Sequence, residues 1–155
     1  IELFATKINA LIGRSAARDI YDVYNMIEHH IFHTKEELTL LRKATIFYLT
    51  VGSSRKSDNT PIEFSSFPQI DKIRFPQIRS QLLPVLRHSE YFDFEKAKTK
   101  VKNFLSDLLV LTDKEKEYVA RFNNGSYHPE LLFDDKVIIE RIQKHPMALW
   151  KTGHH

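Results

Sequence analysis

Glu2-Leu3-Phe4-Ala5-Thr6-Lys7-Ile8-Asn9-Ala10-Leu11-Ile12-Gly13-Arg14-Ser15-Ala16-Ala17-Arg18-Asp19-Ile20-Tyr21-Asp22-Val23-Tyr24 is the stretch on which the reading of the fold turns. Apolar side chains at Leu3, Phe4, Ile8, Leu11 and Ile12 return at helical spacing, with Lys7 on the polar side. Residues 2–12 are therefore expected to form a helix, which Gly13 breaks. Ser15 is of the type whose hydroxyl accepts from the open N–H groups of a first turn, and it is the expected N-cap of a second helix over roughly 16–32. Ile20, Tyr24, Ile27 and Ile31 follow at steps of 4, 3 and 4 residues and give that helix one apolar stripe. Two amphipathic helices joined by so short a link bury their stripes by folding back on each other, so the chain opens with a helical hairpin.

The same reading extends outward. Thr34 and Glu37 make a capping box, and a third helix is expected from there to about Val51. Its end, Ile46-Phe47-Tyr48-Leu49-Thr50-Val51, is β-prone by composition, but the run continues Leu38, Leu41 and Ala44 without a turn and is read as helix. Residues 52–61 form the clearest loop. Pro68 and Pro76 punctuate two short helices, and Pro84 kinks or ends the second. Asp93 is placed to cap a helix to about Leu109. Thr112 and Glu115 form a second capping box that opens a helix to about Phe122, stopped by Asn123-Asn124-Gly125. Short helices over about 134–144 and 146–151 complete an all-α reading: a single helical domain over residues 1–152, with Gly153, His154 and His155 taken as a tag remnant.

Composition narrows the classes. With 11 Phe and only 4 Gly in 155 residues, large core side chains on helices are favoured over a turn-rich β fold. The absence of cysteine excludes disulfide scaffolds, zinc–thiolate sites and thiol nucleophiles. No apolar run approaches the ~18 residues of a membrane span, and no signal peptide opens the chain, so a cytoplasmic location with no membrane partner is expected. The net charge is +3 with acidic and basic residues interleaved, which permits nucleic-acid contact without arguing for it. Residues 2–12 read as helix with no cap or leader before them, so the chain is expected to begin mid-protein.

The hairpin also carries the chemistry. Lys7 and Arg14 are seven residues apart and share a face if the helix reaches that far, while Asp19 and Asp22 are three apart on the next helix. Folding at residues 14–15 brings Lys7 level with Tyr21 and Asp22, so that two cations and two carboxylates surround one small space. Lysine and arginine hold triphosphate oxygens, and a carboxylate can orient a nucleophile or take its proton. Spacing alone equally supports a structural reading, with Arg18–Asp22 and a Lys7–Asp contact as ion pairs between packed helices.

Glu2-Leu3, Lys7-Ile8, Ala10-Leu11, Arg14 and Arg18-Asp19-Ile20-Tyr21-Asp22 together resemble the Lys/Arg and Arg-Asp-Leu-Tyr-Asp motifs of the AbiEii/AbiGii nucleotidyltransferase toxin family. The segments Gln81-Leu82-Leu83-Pro84-Val85-Leu86, Pro129-Glu130-Leu131-Leu132-Phe133 and His145-Pro146-Met147-Ala148-Leu149-Trp150-Lys151 look similar as well. The resemblance implies a polymerase β-like α/β nucleotidyltransferase core followed by this helical bundle. It implies a Mg²⁺-dependent enzyme that moves a nucleotide from a nucleoside triphosphate to an RNA (such as tRNA) or protein acceptor, within a toxin–antitoxin or phage-defence system with a cognate antitoxin. By the motif match, Lys7 would contact the triphosphate with Arg14 and Arg18 beside it. Asp19 is the first choice for the family's late catalytic aspartate and Asp22 the second.

The sequence departs from that family in one respect. The family's metal ligands sit in an earlier Gly-Ser segment followed by two acidic residues separated by one, a spacing that puts both carboxylates on one side of a strand. Here Gly52-Ser53 follows the hairpin, and Glu63 is succeeded by Phe64 and Ser65, so the acidic pair is missing. The chain is thus expected to hold no metal ligands, to bind neither Mg²⁺ nor nucleotide on its own, and to be inactive alone. The rival class is a non-catalytic helical module that binds RNA or a protein partner. His29 and His33, at i, i+4, have metal-competent spacing but lack a third ligand and read as residues favoured at a helix C-terminus. Lys96, Lys98, Lys100 and Lys102 read as a solvated basic face, and Trp150 as a core plug.

Overall fold

The computed structural model describes residues 1–52, 67–86 and 92–153. Among these it is all-helical: α1 (Glu2–Arg14), α2 (Ala17–Glu28), α3 (Lys35–Gly52), α4 (Pro68–Asp71), α5 (Phe75–Gln81), α6 (Phe94–Leu108), α7 (Asp113–Asn123), α8 (Lys136–Gln143) and α9 (Pro146–Thr152). Single 3₁₀ turns cover Leu83–Val85 and Pro129–Leu131. The expected loop over 52–61 and the Glu63-Phe64-Ser65 segment lie outside the described residues from Ser53 onward, and Gly52 closes α3.

The local signals act largely as their chemistry requires. At the start of α3 the Glu37 N–H donates to Thr34 Oγ1 at 3.1 Å, and Glu37 Oε2 accepts from the Thr34 N–H at 3.0 Å. Asp93 accepts from Lys96 N–H at 3.0 Å to cap α6, and Thr112 and Glu115 form the reciprocal pair that opens α7. α4, α5 and α9 each begin with proline in the first turn, where a missing N–H costs nothing. Gly125, at φ 79, takes the left-handed conformation that follows α7.

Three expectations at the hairpin need correction. Gly13 does not break α1, which runs on to Arg14; an exposed helical glycine costs about 1 kcal/mol against alanine, too little to end a helix whose neighbours are buried. Ser15 is not the N-cap of α2. It closes α1 in the left-handed region at φ 51, its N–H and its hydroxyl both donating to the Leu11 carbonyl at 2.9 and 3.1 Å. The N-cap of α2 is Ala16, which has no side chain to offer. α2 also ends at Glu28 rather than near residue 32, because His30 turns left-handed at φ 45.

α3 is the hub. It packs against α1, α6, α7 and α9, while α2 packs against α1, α5 and α6. Ile8, Leu11, Ile20, Leu41, Ile46, Ile70, Val101 and Leu105 are fully buried where these helices meet. Each aliphatic side chain removed from water this way stabilises the fold by roughly 1.5–3 kcal/mol. α1 and α3 approach closely at Gly52, where an added Cβ would stand 2.7 Å from Asn9 Nδ2. One buried charge joins α3 to α7: Glu115, 1% exposed, accepts from Arg42 Nε at 3.0 and 3.1 Å, and its Oε2 also takes the Thr112 N–H. Sequence reading found Glu115 as a cap and missed its second role. Trp150 is no core plug. It stays 42% exposed, and the buried residues of α9 are Ala148 and Thr152.

Candidate functional site

α1 and α2 cross at the short elbow of Ser15 and Ala16, and the four charged residues singled out in the sequence meet on their facing sides. Because α1 continues through Gly13, Lys7 and Arg14 lie on one face. Lys7 Nζ donates to Asp22 Oδ2 at 2.6 Å. Arg14 grips Asp19 with two bonds, Nε to Oδ2 at 2.8 Å and one terminal nitrogen to Oδ1 at 2.7 Å. The Arg18–Asp22 ion pair that the spacing allowed is not formed. Arg18 is exposed and makes no ion pair among the described residues.

The two pairs differ in surroundings. The Asp19 side chain is 1% exposed, with both oxygens committed to Arg14 in the first turn of α2, where the helix dipole favours a negative charge. Lys7 and Asp22 keep 41% and 36% of their side-chain surface. Asp19, through its hydrogen bonds and its charge, raises the Arg14 pKa above its ordinary value, and Asp22 adds to the effect. The four groups thus form one electrostatic cluster in which only Asp19 is buried, beneath an Arg14 that keeps 53% of its own side-chain surface.

Two side chains that sequence reading did not select hold the elbow. Gln69, on α4, donates from Nε2 to the Ile12 carbonyl at 3.2 Å, near the end of α1. Gln81, the last residue of α5, accepts the Ala17 N–H on Oε1 at 3.0 Å, at the first position of α2. The sequence does carry a signal for Gln81: a helix preceded by alanine has no side-chain cap of its own, so its first N–H groups must be satisfied by water or from elsewhere.

The remaining candidates are not drawn into the cluster. His29 and His33 are not on one helix, since α2 stops before them; the His30 and His33 rings stack at 6.4 Å. The lysines of α6 are mostly paired: Lys98 with Glu95 at 2.7 Å, Lys102 with Asp71 at 2.6 Å, and Lys100 with Glu28. The last two staple α6 to α4 and α2, and together the three leave little of a basic stripe for RNA. Ser126 Oγ, His128 Nε2 and Nδ1, and Glu130 Oε1 form a further hydrogen-bonded array at 2.9 and 2.8 Å. All three come from one five-residue stretch, and Glu130 is 58% exposed, so the array fastens the turn after α7.

The family model described as nucleotidyl transferase AbiEii toxin, type IV toxin–antitoxin system, matches residues 1–137. This chain belongs to that family. The AbiEii match covers the hairpin, α3 to α7 and the start of α8, so the whole charged cluster and both clamping glutamines lie inside it. No curated protein and no solved structure matches the chain. Membership makes it a chain of the nucleotidyltransferase toxin type from a toxin–antitoxin system. No helix among the described residues is long and apolar enough to cross a membrane.

The resemblance implies magnesium, and the donors of the charged cluster do not suit it. Among the described residues no three histidine or acidic side chains come together in a metal-holding group. Of the two acids in the cluster, Asp19 has both oxygens on Arg14, and Asp22 stands against Lys7. Hard cations of this kind are held by carboxylates free of competing cations.

Proposed function

We propose that this chain supplies the triphosphate-binding and proton-accepting half of a nucleotidyltransferase active site, with Lys7 and Asp22 as its working pair. One observation carries the reading. Of the two carboxylates in the cluster, Asp22 is open to solvent at 36%, beside a Lys7 that keeps 41%, whereas Asp19 is 1% exposed with both oxygens on Arg14. A group that must touch a nucleotide has to be accessible to it.

In this reading the ammonium of Lys7 turns from Asp22 to the nonbridging oxygens of an incoming triphosphate. Arg18 is exposed on the same helix as Asp22 and adds a second cation, and Arg14 contributes through its field while holding Asp19. The departure of Lys7 leaves Asp22 an unpaired carboxylate beside the reacting groups. It takes the proton from the acceptor hydroxyl as that oxygen bonds to the α-phosphorus and the bond from the α-phosphorus to the pyrophosphate oxygen breaks. The negative charge that leaves with pyrophosphate is neutralised by Lys7. Asp19 then serves as an anchor that fixes Arg14 and the first turn of α2. The acceptor is an RNA or a protein hydroxyl, with tRNA the first to try.

The test is transfer of label from α-labelled nucleoside triphosphates to bulk RNA and protein by the full-length protein. Lys7→Ala is expected to lower transfer at least about 100-fold, the scale on which one positioned charge acts at a transition state. Transfer at the unmodified rate by Lys7→Ala would remove the basis of the proposal.

A further inference from the structure

We infer that Gln81 and Gln69 are positioning residues for this site, two remote amides that set the crossing of α1 and α2 and hence the alignment of Lys7 with Asp22. The inference rests on the reading of Lys7 and Asp22 given above and extends it to residues outside the hairpin.

On the α2 side the elbow lacks a side-chain cap of its own. α2 starts after Ala16, which provides no oxygen for its first-turn N–H groups. α1 ends in a serine at φ 51, a conformation that favours glycine. Beyond the Ser15 bonds to Leu11 and the Arg14–Asp19 fork, the two helix ends are pinned from 57 and 64 residues away: Gln69 Nε2 donates to Ile12 O, and Gln81 Oε1 accepts from Ala17 N. The helices that carry these amides are themselves anchored, because Ile70, Ile73 and Leu82 around them are at most 5% exposed. Gln81 is therefore an N-cap for α2 delivered by another helix, and Gln69 restrains the last turn of α1.

The distance from the elbow to the working pair turns a small rotation into a large displacement. Lys7 lies seven residues before Arg14, about 10 Å along α1 at ~1.5 Å per residue. A change of about 10° in the crossing angle displaces it by about 2 Å over that length. A misplacement of about 1 Å can cost about 100-fold in rate even when it originates far from the chemistry. The apolar contacts of Ile8, Leu11, Ile20 and Val23 hold the helices together. Such contacts are non-directional, whereas a hydrogen bond at each end of the elbow fixes a direction.

The two amides act with opposite polarity, and this makes the inference testable. Gln81 is used as an acceptor, so Gln81→Glu keeps the bond and places a negative charge at a helix N-terminus, where it is favoured. Gln81→Met removes it. Gln69 is used as a donor, so Gln69→Glu sets a carboxylate against a carbonyl at a helix C-terminus, where negative charge is disfavoured. The experiment is steady-state nucleotide transfer by the full-length protein, with kcat corrected for the folded fraction read by circular dichroism and Lys7→Ala run alongside. With Lys7→Ala inactive, Gln81→Met is expected to lose about tenfold or more in kcat, Gln81→Glu to stay within about twofold of the unmodified protein, and Gln69→Glu to fall with Gln81→Met. A kcat per folded molecule left unchanged by both Gln81→Met and Gln69→Glu would overturn the inference, as would a Gln81→Glu protein as slow as Gln81→Met. Lys7→Ala retaining full transfer would instead overturn the reading of the site beneath it, and the inference with it. Should Gln81→Met not fold, the contrast of Gln81→Glu with Gln69→Glu decides alone: equal rates contradict the assigned polarity.

Discussion

Replacing Arg14 by methionine isolates the buried carboxylate of the cluster. The substitution keeps most of the side chain's apolar stem and removes the guanidinium, leaving the Asp19 carboxylate 1% exposed without either of its two hydrogen-bond donors. Removing one partner of a fully buried pair costs about 3–5 kcal/mol because a bare charge stays behind. Arg14 keeps 53% of its side-chain surface, so water already screens part of the pair. The α2 N-terminus returns about 0.3–1 kcal/mol to the orphaned carboxylate. The net expectation is about 2–3 kcal/mol, or a fall in Tm of roughly 5–10 °C for a chain of this size. Thermal melts followed by circular dichroism at pH 7 measure it. The second arm is the Arg14→Met/Asp19→Asn double variant, which contains no buried charge and should melt above Arg14→Met alone. An Arg14→Met melt within 2 °C of the unmodified protein would refute the argument that Asp19 depends on Arg14. A double variant less stable than the single one would do the same.

Other expectations concern the surface and pH. Lys7→Ala should leave Tm almost unchanged, since a half-exposed pair contributes at most about 1 kcal/mol, and this separates its loss of transfer from unfolding. Several surface carboxylates sit below their ordinary pKa values, among them exposed Glu28 and Asp71 through hydrogen bonds from Lys100 and Lys102, exposed Asp134 through Lys43, and half-buried Glu37 through the N–H groups of His33 and Thr34. A lowered folded-state pKa gives stability that is present above the unfolded values of 3.8 and 4.5 and lost as the pH falls below them, so chemical denaturation midpoints should drop from pH 5 to pH 3. At the other end, burial and then Glu2 push the Tyr48 phenol up from 10.0 to about 12. The sign is reversed: that stability is complete below pH 10 and is lost toward pH 12, where Tyr48→Phe should resist alkali better than the unmodified protein.

Much of the fold was legible because its signals are local. Both capping boxes, the Asp93 cap and the prolines that open α4, α5 and α9 are read from neighbours within four residues, and each acts as its side-chain chemistry requires. The hairpin misled at two residues for one reason. Glycine and serine permit the roles assigned to them but do not force them, and burial of Leu11 and Ala17 on either side decided the outcome. With α1 packed as far as Arg14, Ser15 had to close one helix and could not cap the next. Trp150 shows the opposite limit. A large apolar residue near the chain end reads as core, yet α9 buries Ala148 and Thr152 and leaves Trp150 42% exposed.

The candidate site was legible in its charges and not in its supports. Spacing brought Lys7 level with Asp22, and the pair forms at 2.6 Å. Sequence reading put Asp19 first and Asp22 second; the proposed roles reverse that order on burial, which spacing does not reveal, since the Asp19 side chain is 1% exposed and that of Asp22 36%. Gln69 and Gln81 reach the elbow only after α4 and α5 have packed against α1 and α2, so nothing near residues 12–17 reveals them except the missing cap.

The measurement that bears most directly on this account compares Asp22→Asn with Asp19→Asn in the full-length protein, scoring nucleotide transfer per folded molecule together with Tm. The account predicts that Asp22→Asn loses transfer about 100-fold with Tm preserved. Asp19→Asn should melt lower yet keep transfer within about tenfold. The reverse pattern, with transfer abolished by Asp19→Asn and retained by Asp22→Asn, would contradict it.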